Sequence, residues 1–164
     1  MENRRGFLFT LAAFPLSLYA SRSGQSNQEP LASIELNIFK AINFQRVSAQ
    51  ARPLVWSDQL ASTSRMHSGR MLQARFFGHE DPQYGNLSAR LAAAGVDYKH
   101  CGENVFRERN YPDPVSIAVV TWMYSIPHRE NLLTPDYTHT GVGVAMDAAG
   151  TVAVTQQFLT PAQP

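Results

Sequence analysis

The strongest constraint on the fold lies near the C-terminus, where the apolar period changes. In "TGVGVAM", Val142, Val144 and Met146 alternate with small residues; "DAAG" follows as a turn, and "TVAVTQQF" resumes the alternation with Val152, Val154, Gln156 and Phe158 on one side. Two such runs around a short turn predict an antiparallel hairpin closing the chain.

Upstream, the period is helical. Leu31, Ile34, Ile38, Ala41 and Ile42 fall on one stripe of a helix that runs to about Val47. Ser57 and Asp58 make a helix start, since the hydroxyl caps free N–H groups and the acid suits the positive end. That second helix carries Leu60, Met66, His67 and Met71 and ends near Ala74. A third spans Leu87 to Ala94, stopped by Gly95. A fourth covers residues 113–126, with Pro114 in its first turn and Ile117, Val120 and Met123 or Tyr124 facing inward. Helices followed by a hairpin predict an α+β sandwich.

Residues 1–20, "MENRRGFLFTLAAFPLSLYA", have a basic head, an uncharged apolar run and small residues at the end, the pattern of an export signal. Arg4 and Arg5 followed by Gly6, Phe7 and Leu8 resemble the twin-arginine motif; an ordinary secretory signal is the other reading. The run from Gly6 to Ala20 is shorter than the roughly 20 residues that span a bilayer, and Pro15 interrupts it, which argues against an anchor. Residues 21–30 are polar and aperiodic, a flexible leader, so the domain is expected at 31–160 and the protein in the periplasm or outside the cell.

Without residues 1–20 the chain has 12 basic and 12 acidic side chains. Nucleic acids and anionic membranes both select a basic surface, and none is visible. Cys101 is the single cysteine, so no intramolecular disulfide can form. A monomer held by its core is expected.

Three stretches place polar functional groups inside apolar sequence: "FFGHEDP" at 76–82, "CGENVF" at 101–106 and "WMYSIPHREN" at 122–131. They offer two histidines and a glutamate. Such a set either holds zinc with a water in the fourth position or, without metal, does acid–base work. No HExxH-like element fixes the residues on one helix, so spacing alone does not join them.

Taken in order, "NFQR", "PLVW", "MHSGRM", "FFGHEDP", "RLAAAG", "CGEN", "WMYSIPHREN", "THTGVGVA" and "TQQF" resemble the CAP superfamily of cysteine-rich secretory proteins, insect venom antigens and plant pathogenesis-related proteins, in its bacterial single-domain form. The resemblance runs from about Leu31 to Phe158. It implies a three-layer αβα sandwich with a small antiparallel sheet and a central cleft. In animal and plant members that cleft holds two histidines and two acids, and the histidines can bind zinc or another divalent cation.

Carried over by motif, the cleft residues are His79, Glu103 and His128, with His79 and His128 as the metal-binding pair. The second acid falls at Ser125, as bacterial relatives typically have it. Losing that carboxylate removes a negative charge that would hold a cation and help orient an imidazole through its second nitrogen, so metal affinity is expected to fall or to depend on Glu103 and water. "SIPHR" also departs from the Ser-Pro-Gly-His-Arg of bacterial relatives, and Pro127 sets the backbone before His128. In animal and plant relatives a cysteine at this place is commonly bridged. Here Cys101 reads as a small buried hydrophobe, or as a thiol able to pair between molecules.

Blander readings stand beside these. His79 can hold the turn before Asp81 and Pro82, His128 can cap the fourth helix, and Glu103 and Asn104 can accept backbone N–H groups in an irregular loop. His67 reads as a hydrogen-bonded packing residue, and Arg129 and Asn131 as ties for the loop after the fourth helix. Ser125 lacks the nucleophile elbow of an α/β hydrolase. Two functions remain: a module binding a lipid, cell-envelope component or protein, with metal as an optional cofactor, or a hydrolase using a metal- or Glu103-activated water.

Overall fold

The computed structural model describes residues 31–110 and 112–162, so the export-signal and leader segments at 1–30 lie outside the described residues. The elements are α1 (Leu31–Ser48), β1 (Val55–Trp56), α2 (Asp58–Gln73), α3 (Leu87–Ala93), β2 (Tyr98–Arg109), α4 (Pro114–Tyr124), α5 (Ile126–Leu133), β3 (His139–Met146) and β4 (Thr151–Pro161). The four strands form one sheet in the order β1-β3-β4-β2.

The predicted hairpin is β3 and β4, paired with Val142 opposite Gln156 and Val144 opposite Val154. The sheet is not wholly antiparallel: β1 joins β3 in parallel, Val55 beside His139. Because side chains alternate across a strand, the two faces differ in character. Val142, Val144, Val152, Val154 and Phe158 join Ile34, Ile38 and Ile42 of α1, Trp122 of α4 and Leu132 of α5 in the main core.

Gly141 and Gly143 face the other way. A Cβ on Gly141 would collide with the backbone N of Ala61, and one on Gly143 with the backbone N of Arg65, so α2 rests directly on β3. Small α2 residues permit this approach: Ser64 donates to the Gly141 carbonyl at 3.1 Å and Ser68 to the Gly143 carbonyl at 2.8 Å. The result is three layers, with α2 and α3 on one side of the sheet and α1, α4 and α5 on the other.

Both edges of the sheet are closed by side chains rather than left to pair with another chain. Beyond the two residues of β1, the buried Glu35 accepts the Val144 N–H at 3.0 Å and is itself gripped by Arg65 at 2.6 Å. On the far edge, Trp122 Nε1 donates to the Val105 carbonyl at 3.1 Å. The buried Arg46 binds the carbonyls of Arg52, Leu132, Thr134 and Tyr137, tying the end of α1 to the segment after α5.

Four expectations need correction. The segment expected as one helix at 113–126 ends at Tyr124, and a separate α5 begins at Ile126. Pro127 explains the break: inside a continuous helix its ring would clash with the carbonyl four residues back, whereas the first turn of a new helix accepts it. Arg129 and Asn131 therefore stand on a helix, not in a loop. Val120 faces solvent, whereas Ile117 packs against the core as expected and, of the two alternatives, Met123 does so while Tyr124 is 71% exposed; Ala118, Val119 and Trp122 are buried. Finally, "CGENVF" is not an irregular loop but the middle of the twelve-residue β2, the edge strand paired with β4.

Candidate functional site

β2 organises the site because its alternation sends neighbouring residues to opposite faces. Glu103 goes to the α2–α3 side and Asn104 to the α5 side. The Glu103 side chain is 2% exposed, and burial alone would push its carboxyl up. Its hydrogen bonds with His79 and Arg90, then the charges of Arg90 and His67, reverse the direction and hold it below the ordinary glutamate value.

The partners come from two elements and a loop. Arg90 of α3 grips the carboxylate with both terminal nitrogens, each at 2.9 Å. Gln157 of β4 donates to Oε2 at 3.1 Å. His79 places Nδ1 at 3.0 Å from Oε1.

Local structure delivers these groups. Asn86 caps α3 by accepting the Ala89 N–H at 3.0 Å, which starts the helix one turn before Arg90. Asp81 shapes the loop carrying His79: it accepts the Gln83 N–H at 2.8 Å, pairs with Arg70 at 3.1 Å, and its pKa is lowered to about 2. Although burial acts to raise that carboxyl, Arg70 and the two turn N–H groups prevail. Arg90 Nη2 also donates to the His79 carbonyl at 2.9 Å, so one guanidinium fixes both the backbone and the partner of that histidine.

His67 lies fully buried, 3.8 Å from Glu103, with Nε2 at 2.9 Å from the Gly78 carbonyl. It is the hydrogen-bonded packing residue expected from its place on α2. Burial keeps its pKa below the ordinary histidine value, and its Nδ1 has no partner among the described residues. A proton there would find no acceptor. The unfolded chain takes up that proton near pH 6.5, so stability is expected to fall as pH drops below that value. Urea midpoints between pH 7 and 5 should decline, and His67→Gln should flatten the decline.

On the other side of β2, His128 and Ser125 form a second pair, Nδ1 to Oγ at 2.8 Å. Ser125 is the residue between α4 and α5 and makes no capping bond to α5. Asn104 donates to the His128 carbonyl at 3.0 Å, while Asn131 donates to the Glu103 carbonyl at 3.2 Å and to Asn104 Oδ1 at 2.9 Å. These asparagines lock α5 against β2. Burial first, then the charge of His79, lowers the His128 pKa. The two rings thus lie within electrostatic reach of one another.

The structure therefore brings His79 to Glu103 and Ser125 to His128, and joins the two pairs through the β2 backbone. An open hollow of about 360 Å³ is lined by His79, Asn86, Leu87, Ser88, Cys101 and Glu103. Ser125 and His128 are not among its lining residues. Cys101 is half-buried rather than buried, on the rim of this hollow, and is a free thiol.

For a divalent cation, His79 and His128 each have one nitrogen already engaged, and Glu103 has both oxygens taken. That leaves two imidazole nitrogens, short of the three protein donors usual in catalytic zinc sites. Among the described residues no three His, Cys, Asp or Glu side chains gather in a way that could hold a metal ion.

Arg90 and Gln157 were missed as site residues. A signal existed: Arg90 is the sole charge in "LSARLAAAG", and Gln156 and Gln157 interrupt an apolar strand. Long polar side chains so placed need buried partners.

An αβα sandwich with a histidine–carboxylate cleft at the sheet edge defines a class of protein, and comparison with known sequences identifies it. The model of the cysteine-rich secretory protein family, CAP, matches residues 39–158, and the chain belongs to this family. It is 29% identical over 150 residues to the uncharacterized protein YkwD of Bacillus subtilis, covering 92% of this chain and 56% of that one. It is 38% identical over 110 residues to the uncharacterized membrane protein YlbC of the same organism, covering 67% and 31%.

Among solved structures, an extracellular protein containing an SCP domain from Bacillus anthracis superposes with a TM-score of 0.71 at 30% identity, over 78% of this chain and 40% of that one. An outer surface protein of Borrelia burgdorferi shares the fold with a TM-score of 0.72 at 14% identity, over 81% and 96%. The chain spans about half or less of the Bacillus relatives. No helix among the described residues is long and apolar enough to cross a membrane.

Proposed function

We propose that this CAP domain is an exported binding module whose cleft, built from His79, Glu103, Ser125 and His128, takes a polar ligand of the cell envelope. The observation carrying this reading is the commitment of Glu103. Both oxygens are held by Arg90, with Gln157 and His79 completing the shell, so the carboxylate works as a buried anchor for an imidazole. A Glu103-activated water, the hydrolase alternative, would require Glu103 to leave its guanidinium. Export is supported by the signal-like residues 1–20 and by the likeness to an extracellular Bacillus anthracis protein.

Binding of the purified protein to isolated peptidoglycan sacculi and to phosphatidylethanolamine/phosphatidylglycerol vesicles tests the proposal. The expected result is retention by sacculi, reduced at least tenfold in His79→Ala/His128→Ala. Equal retention of wild type and double variant would remove the cleft from the binding function, and retention by vesicles alone would move the ligand to lipid.

A further inference from the structure

We infer that the loop at 76–86 and the hollow beside it form a glycan-binding strip, in which the rings of Phe77 and Tyr84 stack on pyranose rings and the hollow takes their polar substituents. The inference deepens the binding reading above and rests on it, naming the envelope ligand as a sugar chain.

Local contacts place the strip on one face of the sheet. Arg107 and Glu103 are four residues apart on β2, so their side chains leave the same face about 13 Å apart. Arg107 Nη1 donates to the Phe76 carbonyl at 3.1 Å, and His79 meets Glu103 at 3.0 Å. Residues 76–79 therefore run along β2 against its direction. The Gly78 carbonyl is turned inward, where His67 Nε2 donates to it at 2.9 Å. Phe77 and His79, on either side of Gly78, are exposed.

Both limbs of the loop are tied to the hollow. His79 and Asn86 line it, and Phe77 and Tyr84 each precede one of them by two residues, a span of about 7 Å at most. Asp81 and Gly85 exchange backbone hydrogen bonds at 2.9 and 2.8 Å, which holds the limbs together.

Both rings are pinned yet open. Arg107 lies over Phe77, 4.9 Å from its centroid, and Arg70 over Tyr84 at 5.2 Å. A cation held against the negative face of a ring fixes its tilt. Phe77 nevertheless stays 51% exposed and Tyr84 44%. Neither ring joins a hydrophobic core cluster, so packing does not account for them.

The chemistry of the strip selects among ligands. A pyranose offers polarised C–H groups to the negative face of an aromatic ring and hydroxyls at its own rim. The hollow of about 360 Å³ meets that rim with the Asn86 amide, the Ser88 hydroxyl and the His79 imidazole around the apolar Leu87. Its carboxylate, Glu103, is neutralised by Arg90, so an uncharged ligand suffices. An added peptide strand would lack acceptors along β2, because Asn131 and Trp122 take the Glu103 and Val105 carbonyls. Nucleic acid would need several unpaired cations, and Arg70 is already committed to Asp81. The strip along β2 is longer than one sugar ring and suits a short oligosaccharide.

Isothermal titration calorimetry of the intact protein with tetra-N-acetylchitotetraose and cellotetraose tests the inference. The pentapeptide Ala-Glu-Lys-Ala-Ala and phosphatidylglycerol vesicles represent the competing classes. At least one sugar should bind saturably, and neither competitor should match it. Phe77→Leu and Tyr84→Leu remove a ring but keep apolar bulk, and each should weaken sugar binding about 3–10-fold. Phe77→Trp and Tyr84→Phe keep a ring and should bind as wild type does. Because both side chains are exposed, the urea midpoints of these variants should stay close to wild type.

No binding of either sugar, peptide or vesicle binding as tight as the sugar's, or unchanged affinity in Phe77→Leu/Tyr84→Leu would each overturn the inference. The two readings fail separately. Sacculi retaining wild type and Phe77→Leu/Tyr84→Leu equally would overturn the sugar strip alone, whereas sacculi that do not retain the wild type would remove both.

Discussion

Replacing Gly143 with alanine is expected to lower stability by about 3 kcal/mol or more, enough to leave much of the protein unfolded. The added methyl would meet the backbone N of Arg65, and backbone in the middle of a helix cannot swing aside as a side-chain end can. Relief requires lifting α2 off β3, which would break the Ser64 and Ser68 bonds to the strand. Gly69 provides the contrast on the same helix: a Cβ there meets nothing within 4 Å, so Gly69→Ala is expected to stabilise by about 0.5–1 kcal/mol through helix propensity. Urea unfolding of the two variants checks the pair. A Gly143→Ala protein of wild-type stability would contradict the direct seating of α2 on the sheet.

The second large effect concerns Arg90. Arg90→Met removes the guanidinium while leaving the Glu103 carboxylate buried, and is expected to cost about 3–5 kcal/mol at neutral pH. The cost should depend on pH. In the wild type Glu103 titrates below its unfolded value, so its contribution is present above about pH 4.5 and is lost as pH falls through the folded value. Without Arg90, burial dominates and raises the carboxyl, so protonation relieves the penalty and the gap to wild type narrows toward pH 4. Arg90→Met/Glu103→Gln should recover most of the loss, because no buried charge is left alone. A loss under about 1 kcal/mol from the single change would show that the pair is solvated and does not anchor the site.

Much of this fold is legible in the sequence because the signals are periodic. The β3–β4 hairpin, the Ser57 cap and the Gly95 stop follow from local chemistry, and Gly95 takes the left-handed φ of +67° that such a stop requires. The small residues alternating with Val142 and Val144 carry more meaning than their size suggests, since they mark where a helix touches a strand.

β2 escapes because two of its four buried residues, Glu103 and Asn104, are polar. Glu103 and Asn104 sit side by side on opposite faces, each satisfied by residues distant in sequence, so neither an apolar alternation nor a run of β-branched residues marks the strand. α5 escapes because a helix of eight residues beginning Ile-Pro-His-Arg shows too few turns for its period to emerge.

The candidate site divides along the same line. His79, Glu103, Ser125 and His128 are named from ordered motifs, whereas Arg90 and Gln157, which decide what Glu103 can do, declare themselves only through tertiary contact. The consequence is chemical: a carboxylate that reads in sequence as a candidate base is, in place, one side of a buried ion pair.

Hydrolysis of an ester and peptide panel by the purified protein, beside His79→Ala/His128→Ala, tests the central claim most directly. A binding module predicts no turnover above the uncatalysed rate in either protein, with ligand retention lost in the variant. Turnover by the wild type that the double change abolishes would contradict it and would make this cleft a catalytic centre.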